Sequence, residues 1–534
     1  MPNHQDTALP GARRSDTERA GPRTGGNGQR KLVIVGVDAG SPELFRKWCA
    51  TGDLTHISRL MAAGSTRRVE NPRGMEAGAV WPVFQTGLLP GRQPMYDGRR
   101  NFNSQTYVER WYGPEETAPT VWRQLSDAGL SCLLIDPPYT LVDPQINGVT
   151  IMDWGTHVPA NGNTFEFKTH PPEVAAEVLA LVGPDPARGV MCDVMSPESL
   201  DDYRRFRDIY LRRIEGKAEL AHHFLKSTDW DVALVTSSDL HCAGHHLWHI
   251  NEPRHPRYSA KVEAELGEPL RDCYRAFDRS LETILAAIDA QTTVMLFGSH
   301  GMGPSFSGTG LLDRILLRLD KGTGHVAPHS RKARLRALWH RVPIEMRGRL
   351  KLLRRPFRGA LHPPKFLGDH ANRRFFEVYA NNASGGVRLN VKGREGSGTV
   401  EPGETDALLR FLTTELMKVV NADTGERLIK DIVVTRKEYS GPYLERLPDL
   451  LVTWNRNAPI ERVRSDTIGE LYREHLDNRT GDHTPDGICI IAGHGADFCG
   501  EAPAIKTADL APSIAHFFGV ELRDHDGRMF ELTV

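Results

Sequence analysis

Residues 32–45 read LVIVGVDAGSPELF, and the change of character between Val37 and Asp38 decides the fold class. Six positions pass without polar alternation, so both faces of this strand are expected in apolar surroundings, as inside a parallel sheet. Asp38 then stands at the strand's carboxyl end, where Ala39, Gly40, Ser41 and Pro42 build a turn. Working outward, runs of the same kind recur as CLLI at 132–135, VALVTS at 232–237, TVMLFG at 293–298, LLVTW at 450–454 and ICIIA at 488–492. Helical candidates lie between them at 56–63, 173–182, 203–226, 270–288 and 405–420. The alternation predicts an α/β fold, a doubly wound and mostly parallel sheet flanked by helices, with function at the carboxyl ends of its strands.

Length and composition bound the remaining choices. A chain of 534 residues can bury one large core with insertions or two to three smaller ones. With 67 basic against 68 acidic residues the net charge is −1, so no global field recruits a nucleic acid polymer or a membrane. No stretch approaches the roughly 20 apolar residues of a membrane span. Residues 1–30 are polar, without the apolar run of a secretory signal, and are predicted to be a disordered tail. Seven scattered cysteines with no CxxC pair predict a reduced, cytoplasmic setting. Residues 331–358, RKARLRALWHRVPIEMRGRLKLLRRPFR, hold Glu345 as their one acid and predict a basic helical cap inserted at 311–370, between core segments 31–310 and 371–534. Such a run is ordinarily a solvated surface hairpin; its functional reading is a lid for an anionic substrate or an acidic lipid surface.

Three stretches add chemistry at strand ends. TSSDLHCAGHHLWHI (236–250) crowds His241, His245, His246 and His249 behind a buried strand, in a chain with 22 histidines. His241 and His245 are four apart and share one face of a helical turn, as two metal-binding imidazoles require. Hydrogen-bonded core histidines are the alternative. TVMLFGSHGMGPS (293–305) sets His300 after a strand, followed by Gly301 and Gly303. RTGDHTPDGICIIAGHG (479–495) puts His483 in a turn just before the last core strand, where an exposed turn histidine is the ordinary explanation.

With VWPVFQTGLLPGRQ (80–93), FGSHGMGP (297–304) and IKTADLAPSIAHFFGVELRDHDGR (505–528), these residues resemble the alkaline phosphatase superfamily in its type I phosphodiesterase and nucleotide pyrophosphatase branch. The resemblance runs from about Lys31 to the C terminus. It implies two metal ions, usually zinc, and a Ser or Thr nucleophile that is phosphorylated and then hydrolysed. Asp38 matches an aspartate ligand of one metal and His300 the histidine of that family's Asp-His-Gly turn; His245 and His483 match histidines of the other metal. Three positions depart. Counting back four residues from Trp81 in GMEAGAVWPVFQTG reaches Ala77 in place of the nucleophile, with Glu76 beside it. The aspartate of the Asp-His-Gly turn is Ser299, and that expected four residues before His245 is His241.

The resemblance so amended implies one zinc on His241, His245 and His483, and a second on Asp38 and His300 only if Glu76 or another carboxylate completes the set. Glu76, Asp38 and His300 are the catalytic candidates, with Glu76 as general base. Trp248, Arg331 and Arg334 are expected to meet an anionic small-molecule or phosphoester substrate. The expected activity is that of a metal-dependent phosphoester hydrolase or phosphoryl transferase acting without a phosphoenzyme. A biosynthetic lyase or group transferase, or a metal-binding pseudoenzyme, are the alternatives on this scaffold. Neither Cys49 nor Cys192 lies in the C/S-x-P-x-R context of a sulfatase.

Overall fold

The computed structural model describes residues 30–532 apart from 97–99, 112–117, 157–165, 189–191, 193–196, 198, 323–364, 367, 379, 381–382, 474–478 and 494–498. The predicted tail up to residue 29 and the basic run 331–358, with Arg331 and Arg334, therefore lie outside the described residues.

Leu32–Val37 is the middle strand of a nine-stranded sheet. The order across that sheet is Gly500–Lys506, Ser65–Glu70, Gly487–Ala492, Thr293–Gly298, Leu32–Val37, Val232–Ser237, Cys132–Ile135, Gly148–Met152 and Lys168–His170. Leu32–Val37 pairs in parallel with Val232–Ser237 on one side and Thr293–Gly298 on the other, so Val37, Ser237 and Gly298 sit side by side at one edge. Its unbroken apolar run has the expected cause. Val33, Val35 and Val37 face a core built with Phe45, Trp48, Phe206, Tyr210 and Phe277, whereas Leu32 and Ile34 face a second core with Trp81, Phe84, Trp122 and Ile514. Each fully buried side chain of this size contributes roughly 1.5–3 kcal/mol, so the strand is anchored on both faces.

The run at 488–492 enters this sheet against the prevailing direction. Gly487–Ala492 lies antiparallel to Thr293–Gly298, with Ile488 opposite Gly298. Its start therefore meets the carboxyl ends of the parallel strands. That reversal is what brings His483, which precedes the strand, to the same edge as Asp38 and His300.

LLVTW, read as part of the same sheet, belongs elsewhere. Leu450–Trp454 sits in a four-stranded antiparallel sheet with Phe375–Val378, Ser384–Leu389 and Ile429–Val434. Helices Leu312–Lys321 and Thr405–Met417 share a core with it, built from Leu312, Ile315, Leu316, Leu409, Leu412, Val387 and Leu450. Val433 and Leu451 pack instead with Met75, Ala79 and Val83. Cover on both sides makes this strand as apolar as a central one, so composition could not assign it to a sheet. Leu312–Lys321, counted above with the inserted cap, is thus part of this smaller α/β layer.

Candidate metal centre

Strand Val232–Ser237 runs through Ser238 into helix Asp239–Leu247. The helix is fixed at its start by a buried ion pair: Arg213, on the long helix Leu200–Ser227, donates through Nε to Asp239 Oδ1, and Ser237 Oγ donates to Asp239 Oδ2 at 2.9 Å. Arg213 is 1% exposed, and although burial opposes its charge, the neighbouring Asp239 and Asp185 hold it protonated. From that anchor the helix and the short turn Trp248–Asn251 that follows it send their histidines two ways. His246 meets Tyr210 Oη at 2.5 Å and His249 meets Tyr203 Oη at 3.1 Å, both on the core side. His241 and His245 turn to the opposite face.

There they meet His483, on strand Gly481–Thr484, which pairs antiparallel with Gly301–Pro304. The approach is close. A Cβ on Gly481 would stand 2.3 Å from the Gly244 carbonyl, and one on Gly244 would stand 2.7 Å from Met302 Cγ, so glycine at both positions is what lets ribbon and helix approach this closely. The three Nε2 atoms form a triangle with edges of 3.3 Å (His241 to His245), 3.2 Å (His245 to His483) and 2.9 Å (His241 to His483). Tetrahedral zinc with Zn–N bonds of about 2.0–2.1 Å would hold its nitrogens about 3.3 Å apart, so the set fits. His245 Nδ1 lies 2.7 Å from the Gly481 carbonyl, which can only accept. The proton is therefore on Nδ1, and Nε2 presents a lone pair to the centre of the triangle.

A second group continues from the first. The rings of His483 and His300 pack edge to face at 4.6 Å. His300 Nδ1 lies 3.0 Å from Ser299 Oγ, which is 3.3 Å from Asp38 Oδ1. Asp38 also accepts from Trp81 Nε1 at 2.8 Å. Burial outweighs the bonds from Trp81 and Ser299 and raises the Asp38 carboxyl to about 6. Among the described residues, candidate ligand atoms converge in two trios, His241 with His245 and His483, and Cys192 with His241 and Cys242. Neither includes Asp38 or His300.

The family model for type I phosphodiesterase / nucleotide pyrophosphatase matches residues 32–486. The chain belongs to that family. It is accordingly a phosphoester hydrolase, from a family whose members typically depend on metal, and small phosphoester or nucleotide substrates fit the family. One solved structure extends the likeness at the level of fold. Phosphonoacetate hydrolase from Sinorhizobium meliloti, in complex with phosphonoformate, is 14% identical, with a TM-score of 0.50 over 90% of this chain and 94% of that one. Human ectonucleotide pyrophosphatase / phosphodiesterase 5 is 12% identical, with a TM-score of 0.48 over 93% of this chain and 97% of that one. No curated protein matches the sequence. Among the described residues no helix is long and apolar enough to cross a membrane.

Glu76 is in neither ligand trio. Its carboxylate accepts from the Gly74 N–H at 2.8 Å, within its own loop, and burial raises its pKa. It sits where it feels Asp431 and Arg73. Ala77, at the nucleophile's position, is buried. Trp248 opens a short turn after the histidine helix and is half-buried against the main core. Sequence reasoning missed two residues that shape the centre. Arg456, just beyond the smaller sheet's strand, donates to the carbonyls of His483, Asp482 (3.1 Å) and Pro304 (2.8 Å), clamping both strands of the ribbon. Cys192 Sγ lies 3.8 Å from His241 Nδ1, on the ring edge away from the triangle. Neither carries a local signal, because each meets its partner only through the tertiary fold.

Proposed function

We propose that the chain hydrolyses a phosphodiester or pyrophosphate bond of an anionic small molecule by direct attack of water, with one zinc held by His241, His245 and His483. The observation that carries this reading is the Nε2 triangle, whose edges of 2.9–3.3 Å match one tetrahedral ion. Zinc held by these three histidines would supply a Lewis acid for a phosphoryl oxygen and would make water more acidic.

The chain's own groups complete the reaction. Asp38, with a carboxyl raised to about 6, is ionised at neutral pH yet basic enough to accept a proton. In this reading the water oxygen bonds to phosphorus, the bond to the leaving oxygen breaks, and the water proton passes to Asp38. Ser299, itself 3.0 Å from His300 Nδ1, and Trp81 hold that carboxylate in place. Ala77 has no hydroxyl, so the displacement is a single step. Glu76, bonded within its own loop, is not the base.

Hydrolysis of bis(p-nitrophenyl) phosphate by protein purified without chelators tests the reading. Turnover is expected in the wild type and absent in His245→Ala, with no phosphorylated residue trapped by acid quench. Full metal loading without turnover on any phosphoester would defeat it in favour of a binding protein.

A further inference from the structure

Each imidazole carries two nitrogens, and those of His241 face two different groups of donors. Nε2 belongs to the histidine triangle. Nδ1 lies 3.8 Å from Cys192 Sγ. Cys242, the next residue of the same helix, adds its own sulfur, so that one ligand atom from each of Cys192, His241 and Cys242 lies within 4.8 Å of the others. All three side chains are buried, the cysteines to 2% and 1% exposure. Arg213 Nη2 donates to Cys242 Sγ at 3.8 Å, which sets positive charge beside the sulfurs.

Donor type and number select the ion. Two sulfurs and one nitrogen are a soft set, which favours Cu(I) or zinc over harder cations. Structural zinc almost always takes four ligands, and among the described residues this group offers three, shut off from water. A three-coordinate ion suits it better. Metal bonds of about 2.3 Å to sulfur and about 2.0 Å to nitrogen, splayed at about 120°, put sulfur about 3.7 Å from nitrogen. The separation of Cys192 Sγ and His241 Nδ1 is 3.8 Å.

We infer that Cys192, Cys242 and His241 Nδ1 form a second metal site, for Cu(I), which competes with the triangle for His241. A neutral imidazole has a lone pair on one nitrogen only. When copper binds, both thiol protons leave to water and the ring proton moves from Nδ1 to Nε2. The triangle is then short of one ligand and releases its ion. The copper site rests on its own donors; only the exchange rests on the zinc reading above.

The test is anaerobic titration of the full chain, purified without chelators, with Cu(I) held by bicinchoninate, followed by X-ray absorption at the copper edge and assay of free zinc. The wild type is expected to draw one Cu(I) per chain into a shell of two sulfurs and one nitrogen, and to release its zinc in equal amount. Cys192→Ser and Cys242→Ser should keep their zinc and each weaken uptake at least about tenfold, as much as the loss of even an outer metal partner costs. Cys499→Ser, at the exposed cysteine, should take up copper as the wild type does. No uptake by the wild type, undiminished uptake in either variant of the buried pair, or a shell of sulfur alone would overturn the site. Copper bound with zinc retained would overturn the exchange. A chain without zinc before titration would overturn the zinc reading, with the copper site still decided by uptake and shell.

Discussion

At the scale of single residues the account turns on what each group near the triangle can do with a proton. Asp38 is held by Trp81, and that bond lowers its pKa against the larger effect of burial. Trp81→Phe removes the donor, so the Asp38 pKa should rise above about 6. Because the base works only when ionised, the acid limb of kcat/KM should move to higher pH by a few tenths to one unit, measured as a pH–rate profile. A limb that stays in place would remove Asp38 from the reaction. Ala77 gives the second test at this scale. The wild type should form no covalent phosphoenzyme, whereas Ala77→Ser restores a hydroxyl at the family's nucleophile position and should trap one on rapid quench. A phosphorylated residue in the wild type would contradict direct displacement. Both residues could be singled out in the sequence, Asp38 by its place after LVIVGV and Ala77 by its distance from Trp81. Glu76 could not be judged there, since its bond to the Gly74 N–H is a property of the folded loop.

At the scale of elements, the helix Asp239–Leu247 aims its histidines because Arg213 holds its first residue. Removing one partner of a buried pair leaves an uncompensated charge, so Asp239→Asn should cost about 3–5 kcal/mol in urea unfolding and weaken metal binding with it. Replacing both partners, as in Asp239→Asn with Arg213→Met, should recover part of the loss. Helix Leu312–Lys321 offers a case read by pH. Burial raises the Asp313 carboxyl, but His370 and Arg373, the latter at 2.7 Å, override it and hold it at about 2. A depressed carboxylate stabilises the fold above its unfolded pKa of about 3.9, and that contribution is lost as pH falls from about 4 to 2. With 36% of the side chain exposed, solvent screens the pair, so Asp313→Asn should cost about 1 kcal/mol at pH 7 and nothing near pH 2. The existence of these elements was legible because amphipathic period and buried apolar runs are local; 203–226 and 270–288 were found as Leu200–Ser227 and Pro269–Leu285. The partnering of LLVTW with a second sheet was not legible, because helices cover it as fully as they cover the central strands.

At the scale of the whole molecule, one edge of one sheet gathers groups that are far apart in the sequence. His241 and His245 follow one strand, Asp38 and His300 follow two others, and His483 arrives only because Gly487–Ala492 runs backwards through the sheet. Four separate motifs pointed to that edge, so most of the histidine set was readable before any coordinates. The clamp by Arg456 and the contact of Cys192 with His241 were not, since nothing near either residue in the chain announces its partner. In the proposed reading the molecule holds one metal, on the trio His241, His245 and His483. Elemental analysis of chain purified without chelators tests this most directly. The expected result is about one zinc per chain in the wild type and near none in His245→Ala or His483→Ala. Two tightly bound ions per wild-type chain, or zinc retained after either substitution, would contradict it.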